Sequence, residues 1–449
     1  MDASGPAFTS LPPGPRWPRV VQLAAWLSRP LELMEHLRAR YGMPATLRFP
    51  RWPAMVSFDD PEAIKDIFRG SSDDLHAGEA NEPLRPIVGS NSLLLLDGER
   101  HLRERKLLLP PFHGARMTRY AEVMRDVTLA DLARWPLDTP FAVQPRTQAI
   151  TLDIILRTVF GVEQGSKQET LRAALEALIG DFSRPSLMVE WLHRDLGPRS
   201  PWGRYVRTRA RTDALIYGEI DARRARPRPG EDIFSMLLEA RHEDGAPMGR
   251  EELRDELITM LVAGHETTAT ALSWAFHHLI EHPSVERRVH EELDRVMGDG
   301  PIDPERSGEL VYLDALIKET LRVIPVISAV GRVLHAPTTV GGIELPAGVV
   351  AVPSIYLTHR NPKIYPRPER FEPERFLETK PSPYEWLPFG GGVRRCIGMA
   401  FALYEMRIVL ATVLWRHRVR RAPGASHRPV RRSVTMAPAG GTPIILTRR

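Results

Sequence analysis

The chain has 449 residues, 43% of them hydrophobic and 26% charged, an ordinary globular composition that excludes disorder as the main state. Its net charge of +5 is carried almost wholly by arginine, six of the 61 basic residues being lysine; the arginines are spread along the chain, which disfavours nucleic-acid binding. A single cysteine, Cys396, excludes an internal disulfide, a cysteine-based zinc site and a four-cysteine iron–sulfur cluster.

In chain order, the opening lacks the basic start and apolar stretch of a secretory signal, and no apolar run reaches the 18 residues of a membrane span. A soluble cytoplasmic protein is therefore expected. Residues 1–18, proline-dense from Leu11 onward, read as an extended surface arm. A helix is predicted over Pro30–Tyr41, then short strands over 46–49 and 54–58, then helices over 149–160 and 169–179. Residues 223–230, rich in Arg and Pro, read as a loop. From 250 to 281 apolar residues recur at helical spacing without proline. At about 1.5 Å per residue this segment would cross a whole domain as a buried rod of about 48 Å. Helices over 284–296 and 309–323, strands over 330–334 and 349–352, an irregular meander over 362–373, a helix over 399–410 and a strand over 444–447 complete the reading. The fold is expected to be mainly α with a minor β region, from about 42–60 and 326–355 plus C-terminal strands. The helical core covers about 90–325 and 396–417. No segment reads as an interdomain linker, so residues 1–449 are read as one domain, and nothing suggests more than a monomer.

Four segments carry chemistry. In Phe389-Gly-Gly-Gly-Val-Arg-Arg-Cys-Ile-Gly398 the glycines permit tight turning against a flat object, and Cys396 precedes a helix start beside two arginines. That setting stabilises a thiolate, either reactive or metal-ligating. In Ala263-Gly-His-Glu-Thr-Thr268 a glycine, a glutamate and two threonines interrupt a buried rod. Such costly residues predict a local opening of the helix that presents a hydroxyl and a carboxyl to a cavity. Glu319 and Arg322, three apart on a helix ended by Pro325, face each other and read alone as surface decoration. His101 and Arg105 lie one helical turn apart and could clamp an anion, although read alone a solvated basic face explains them better.

Together these segments resemble the cytochrome P450 family of haem-thiolate monooxygenases, over essentially the whole chain. The resemblance rests on Phe389, Gly392, Arg394, Cys396 and Gly398 in the cysteine signature, on Ala263, Gly264, Glu266 and Thr267 in the long helix, on Glu319 and Arg322, and on Phe371–Phe376 in the meander. It implies the family's fold, with the long helix over haem b (iron protoporphyrin IX). It makes Cys396 the axial iron ligand, a thiolate of the kind that in this family pushes electron density toward O–O cleavage. His101, Arg105, Arg332 and Arg394 would pair with the propionates, Phe389 would pack beside the thiolate, and Ala263 and Gly264 would make room for oxygen. Thr267 would donate a hydrogen bond to bound dioxygen and Glu266 would relay protons. Arg375 would join Glu319 and Arg322 in a buried triad.

Histidine at 101, where many membrane-bound members carry tryptophan, fits the soluble class. The implied reaction is hydroxylation or epoxidation of a hydrophobic molecule (terpenoid, steroid, fatty acid or polyketide-like). The expected pocket contains Val262, Ala263, Thr267, Val326, Ile327, Ser328, Ala329, Val330 and Met436, with contributions from 93–96 and 435–437. Few fixed charges among these predict an uncharged or weakly polar substrate. Electrons would come from a ferredoxin or flavodoxin with a separate reductase, docked on Arg103, Lys106, Arg116, Arg394 and Arg395. A non-catalytic haem sensor or carrier would keep the cysteine signature without needing Glu266 and Thr267. A cysteine hydrolase would explain neither the glycines nor the long helix.

Overall fold

The helix Arg250–Glu281 organises the molecule. Leu253, Leu257, Leu261, Leu272, Phe276 and Leu279 are all fully buried, so the apolar spacing read in the sequence does face the core. Its start is fixed by Glu252, whose carboxylate reaches back to the Gly249 N–H at 2.6 Å. The computed structural model describes residues 11–449 except 113–115, 163–164, 183–192, 227–229, 299, 301 and 425–427. The first ten residues of the expected arm thus lie outside the described residues. The remainder, 11–18, contains neither helix nor strand and ties to a strand: Thr46 donates from its amide to Pro13 O and from its hydroxyl to Pro12 O, at 2.9 and 2.6 Å.

Around the long helix pack Gln144–Thr158, Val311–Val323 and Met399–Arg416, with Arg116–Leu132 against the last of these. Helices missing from the sequence reading have legible caps. Asp60 accepts from the amides of Glu62 and Ala63 ahead of Pro61–Arg69, and Ser200 accepts from the Gly203 amide ahead of Pro201–Ala225. The expected loop over 223–230 is corrected at its start. Arg223 and Arg224 belong to the last turn of Pro201–Ala225, where Arg223 pairs with Glu219 and Asp232.

The main sheet has the strand order Ala45–Leu47, Met55–Phe58, Val350–Pro353, Arg332–Leu334, Leu75–His76. Only the pairing of Met55–Phe58 with Val350–Pro353 is parallel. The C-terminal segments form a three-stranded sheet of Pro140–Ala142, Pro443–Arg448 and His417–Arg421, and a hairpin of Pro429–Arg432 with Thr435–Pro438. The stretch from 361 to 374 contains neither helix nor strand, as the meander reading expects.

Candidate functional site

A cavity of about 600 Å³ lies between the long helix, the cysteine loop and the C-terminal hairpin. The loop turns at Gly390 and Gly392, both at positive φ (66° and 64°), and closes where the Cys396 amide donates to Phe389 O at 3.0 Å. At Gly391 and Gly392 a Cβ would strike Phe68, at its ring and at its carbonyl oxygen 2.2 Å away. These glycines therefore seat the loop against the helix Pro61–Arg69. Cys396 opens into the cavity and is otherwise enclosed by protein. Burial pushes its thiol up; the Gly398 amide, Arg105 and Arg395 pull the other way. A metal cation on the sulfur would settle the balance in favour of thiolate.

His101, Arg105, Arg332 and Arg394 line the same cavity. His101 is held down to about 3 by burial and by the three arginines, so it is neutral, and its Nδ1 is buried with no partner. Arg332 and Arg394 are each lowered to about 10, chiefly by burial and then by a neighbouring arginine. Arg394 donates to Leu93 O and Leu96 O and pairs with Asp97, so it also pins the segment ahead of the helix Gly98–Leu108. Three guanidinium groups against the one carboxylate of Asp97, beside an orphaned imidazole nitrogen and a thiol, suit a dianionic group carrying a soft metal ion. Haem fits that description. Arg394 is spent on Leu93 O, Leu96 O and Asp97 and Arg395 is half-buried at the cavity edge, while Arg103, Lys106 and Arg116 are exposed.

On the opposite wall, the expected opening of the long helix is not present: the helix runs unbroken through 263–268. The Thr267 hydroxyl bonds back to Ala263 O at 2.5 Å, so the hydroxyl and the ladder carbonyl satisfy each other. Gly264 lines the cavity, but its missing side chain points at Ile155 Cδ1, 3.2 Å from an added Cβ, so it also lets Gln144–Thr158 pack closely. Glu266 lines the cavity and accepts from Gln148 Nε2 at 2.8 Å, with burial raising its carboxyl. His265 bonds Thr151 at 2.8 Å. Gln148 and Thr151 stand more than a hundred residues from their partners, and no local pattern announces them.

Val262, Ala263, Val326, Ile327, Ser328, Ala329, Val330, Met436, Phe389 and Gly398 all line the cavity. Leu93, Leu94 and Thr435 join them, whereas Leu95, Leu96 and Ala437 are turned into the core, a correction to the expected pocket. Ala437 and its cross-strand partner Val430 both lie outside the lining, whereas Met436 and its partner Arg431 belong to it. Met436 faces in, its amide donating to Val326 O at 2.8 Å and its carbonyl accepting from Trp274 Nε1 at 2.7 Å. Two charged residues of the lining, Glu256 and Arg431, were not expected. Glu256 accepts from the Leu93 amide at 2.6 Å.

Glu319, Arg322 and Arg375 come together beneath this region. Arg322 and Glu319 are fully buried and paired at 2.6 and 2.8 Å, and Arg375 Nε lies 3.5 Å from Glu319. Arg322 also donates to His359 O, Pro368 O and Arg370 O, at 2.8 to 2.9 Å. What read alone as surface decoration is an internal clamp on a segment without a ladder of its own.

The family model described as Cytochrome P450 matches residues 12–443. The chain is 41% identical to cytochrome P450 135B1 of Mycobacterium tuberculosis, over 98% of this chain and 92% of that protein. It is 36% identical to cytochrome P450 138 of the same organism, over 100% and 98%. The solved structure titled retinoic acid bound cyanobacterial CYP120A1 is similar with a TM-score of 0.87 and 26% identity, covering 98% of this chain and 99% of that one. Among the described residues no helix is long and apolar enough to cross a membrane.

Proposed function

This chain belongs to the cytochrome P450 family of haem-thiolate monooxygenases, and we propose that it hydroxylates or epoxidises a hydrophobic small molecule. Terpenoids, steroids, fatty acids and polyketides form the range; the retinoic acid of the neighbouring structure is a terpenoid. Two electrons come from a ferredoxin or flavodoxin served by a separate reductase, and the protein works as a cytoplasmic monomer. The observation that carries this reading is the placement of Cys396 with Glu266 and Thr267 around one apolar cavity.

When bound, haem b supplies the iron at which dioxygen, two electrons and two protons yield one oxygen atom for the substrate and one water. Cys396 would hold the metal. His101, Arg105, Arg332 and Arg394 would hold the propionates; the neutral His101 would offer a hydrogen bond rather than charge. Phe389 shields the sulfur from water. Thr267 presents its hydroxyl to the cavity while its own proton is held on Ala263 O, so it can turn to donate without crossing an apolar barrier. Glu266, raised by burial and steered by Gln148, carries a proton near neutral pH more readily than a free glutamate. Val262, Val326, Ile327, Ser328, Ala329 and Met436 exclude water around the substrate.

The test is the carbon monoxide difference spectrum of the reduced protein, followed by oxygen uptake with supplied electrons. A red-shifted thiolate band together with uptake that yields an oxygenated product supports the reading. Haem bound without that band, or a colourless protein, refutes it.

A further inference from the structure

Arg431 is a half-buried cation in the cavity wall that the chemistry above does not use. It sits in the strand Pro429–Arg432 directly opposite Met436, and both side chains line the cavity while the next pair, Val430 and Ala437, does not. Its Nε donates to Ser433 O at 2.8 Å and its Nη1 to Trp26 O at 3.0 Å, with the guanidinium 5.6 Å from the Trp26 ring. Nη2 has no protein partner among the described residues, and it is not sealed in. Among the described residues no carboxylate pairs with Arg431. Nor is it held with the basic group facing Cys396: it stands on the C-terminal hairpin and bonds Trp26 O, whereas Arg394 bonds Leu93 O, Leu96 O and Asp97; burial lowers it to about 10. The cavity wall therefore carries a further cation that haem does not account for.

A partly desolvated guanidinium without a counter-charge is costly, and an ionised carboxylate satisfies it with charge-assisted hydrogen bonds. We propose that Arg431 is the anchor for a substrate carboxylate, so that the enzyme takes an elongated apolar acid. Nη2 holds the acid head, and the apolar body runs past Met436 and Val326 toward Thr267. This rests on the monooxygenase reading and replaces the uncharged or weakly polar substrate expected from the sequence.

The test uses the haem-loaded protein with dodecanoic and hexadecanoic acids and their methyl esters, following the ferric absorbance shift. The acids should bind at least about tenfold more tightly than the esters, as expected for one charge-assisted contact. Arg431→Leu should abolish that preference, and Arg431→Lys should keep part of it. The carbon monoxide band should stay intact in both variants, which separates this proposal from the family assignment. Equal affinity for acid and ester in the wild type would overturn it without recourse to any variant. So would an acid preference that survives Arg431→Leu, or no binding of either acid to protein with an intact band.

Discussion

Replacing Arg322 with alanine removes a guanidinium that makes five hydrogen bonds with no exposure to solvent. Breaking a buried ion pair from one side costs about 3–5 kcal/mol, because the remaining charge is stranded. Glu319 keeps the Glu372 amide at 2.8 Å and Arg375 at 3.5 Å, which softens that cost. The three carbonyls of 359, 368 and 370 each lose a charged donor, at about 1–3 kcal/mol apiece. A total of at least about 5 kcal/mol follows, comparable with the whole net stability of many domains. The unfolding entropy of a chain this long is about 0.9 kcal/mol per degree, so the melting midpoint would fall by only about 5 °C. The local effect is larger: about 5 kcal/mol raises the open fraction of the 359–375 segment by more than a thousandfold. The assay is therefore amide hydrogen exchange over 359–375, with haem retained per chain and the carbon monoxide band. Exchange should accelerate by about three orders of magnitude and the thiolate band should be lost. Arg322→Lys, a point charge that cannot serve five acceptors, should fall between the two. An Arg322→Ala protein with full haem, an intact band and unchanged exchange would refute the clamp.

Thr267→Ala should leave the carbon monoxide band in place but lower product formed per electron consumed, the balance appearing as hydrogen peroxide; unchanged coupling removes Thr267 from the mechanism. Gly392→Ala should abolish thiolate ligation, because its Cβ would meet Phe68 O at 2.2 Å in a left-handed conformation. Gly390→Ala, also left-handed but facing open space, should cost only about 1–2 kcal/mol and retain haem; equal behaviour of the two would show that the Phe68 seat is unimportant. Burial, and then Arg322, hold His359 down to about 3, while an unfolded histidine titrates near 6.5. Between those values the unfolded chain binds more protons, so stability is lost as pH falls from about 6.5 toward 3. The melting midpoint should track this, and His359→Gln should flatten the slope; a slope unaltered by the substitution assigns it to other groups such as His278, also held well below its usual value by burial.

Reading the site from the sequence worked where the determinants are local. Phe389 through Gly398 lie within ten positions, and the glycines, arginines and cysteine announce one another. The long helix was equally open to reading because one period persists over 32 residues. Arg431 was not, because its orientation depends on pairing with Met436 across a hairpin, and a one-residue slip would have turned it outward. Gln148 becomes meaningful only when Gln144–Thr158 lies along the long helix. Pro201–Ala225 escaped because its buried stripe is thin, limited to Gly203, Tyr205, Thr212, Ile216 and Ile220 on an arginine-rich surface. The opening expected at Gly264 failed for a different reason. Of the polar residues that seemed to break the rod, Thr267 is satisfied by the helix's own Ala263 carbonyl and Glu266 by Gln148 of the neighbouring helix.

The cavity draws its walls from Leu23 at one extreme to Met436 at the other, with Cys396 near the second. A ribosome delivers these parts in order, so the long helix and its neighbours are complete before the cysteine loop or the hairpin exists. Until then the apolar faces that will line the cavity have no far wall. Contacts of such long sequence separation form slowly, and an open apolar cleft is a target for aggregation. The nascent chain therefore passes through a stage in which it is nearly all made and cannot yet hold its cofactor.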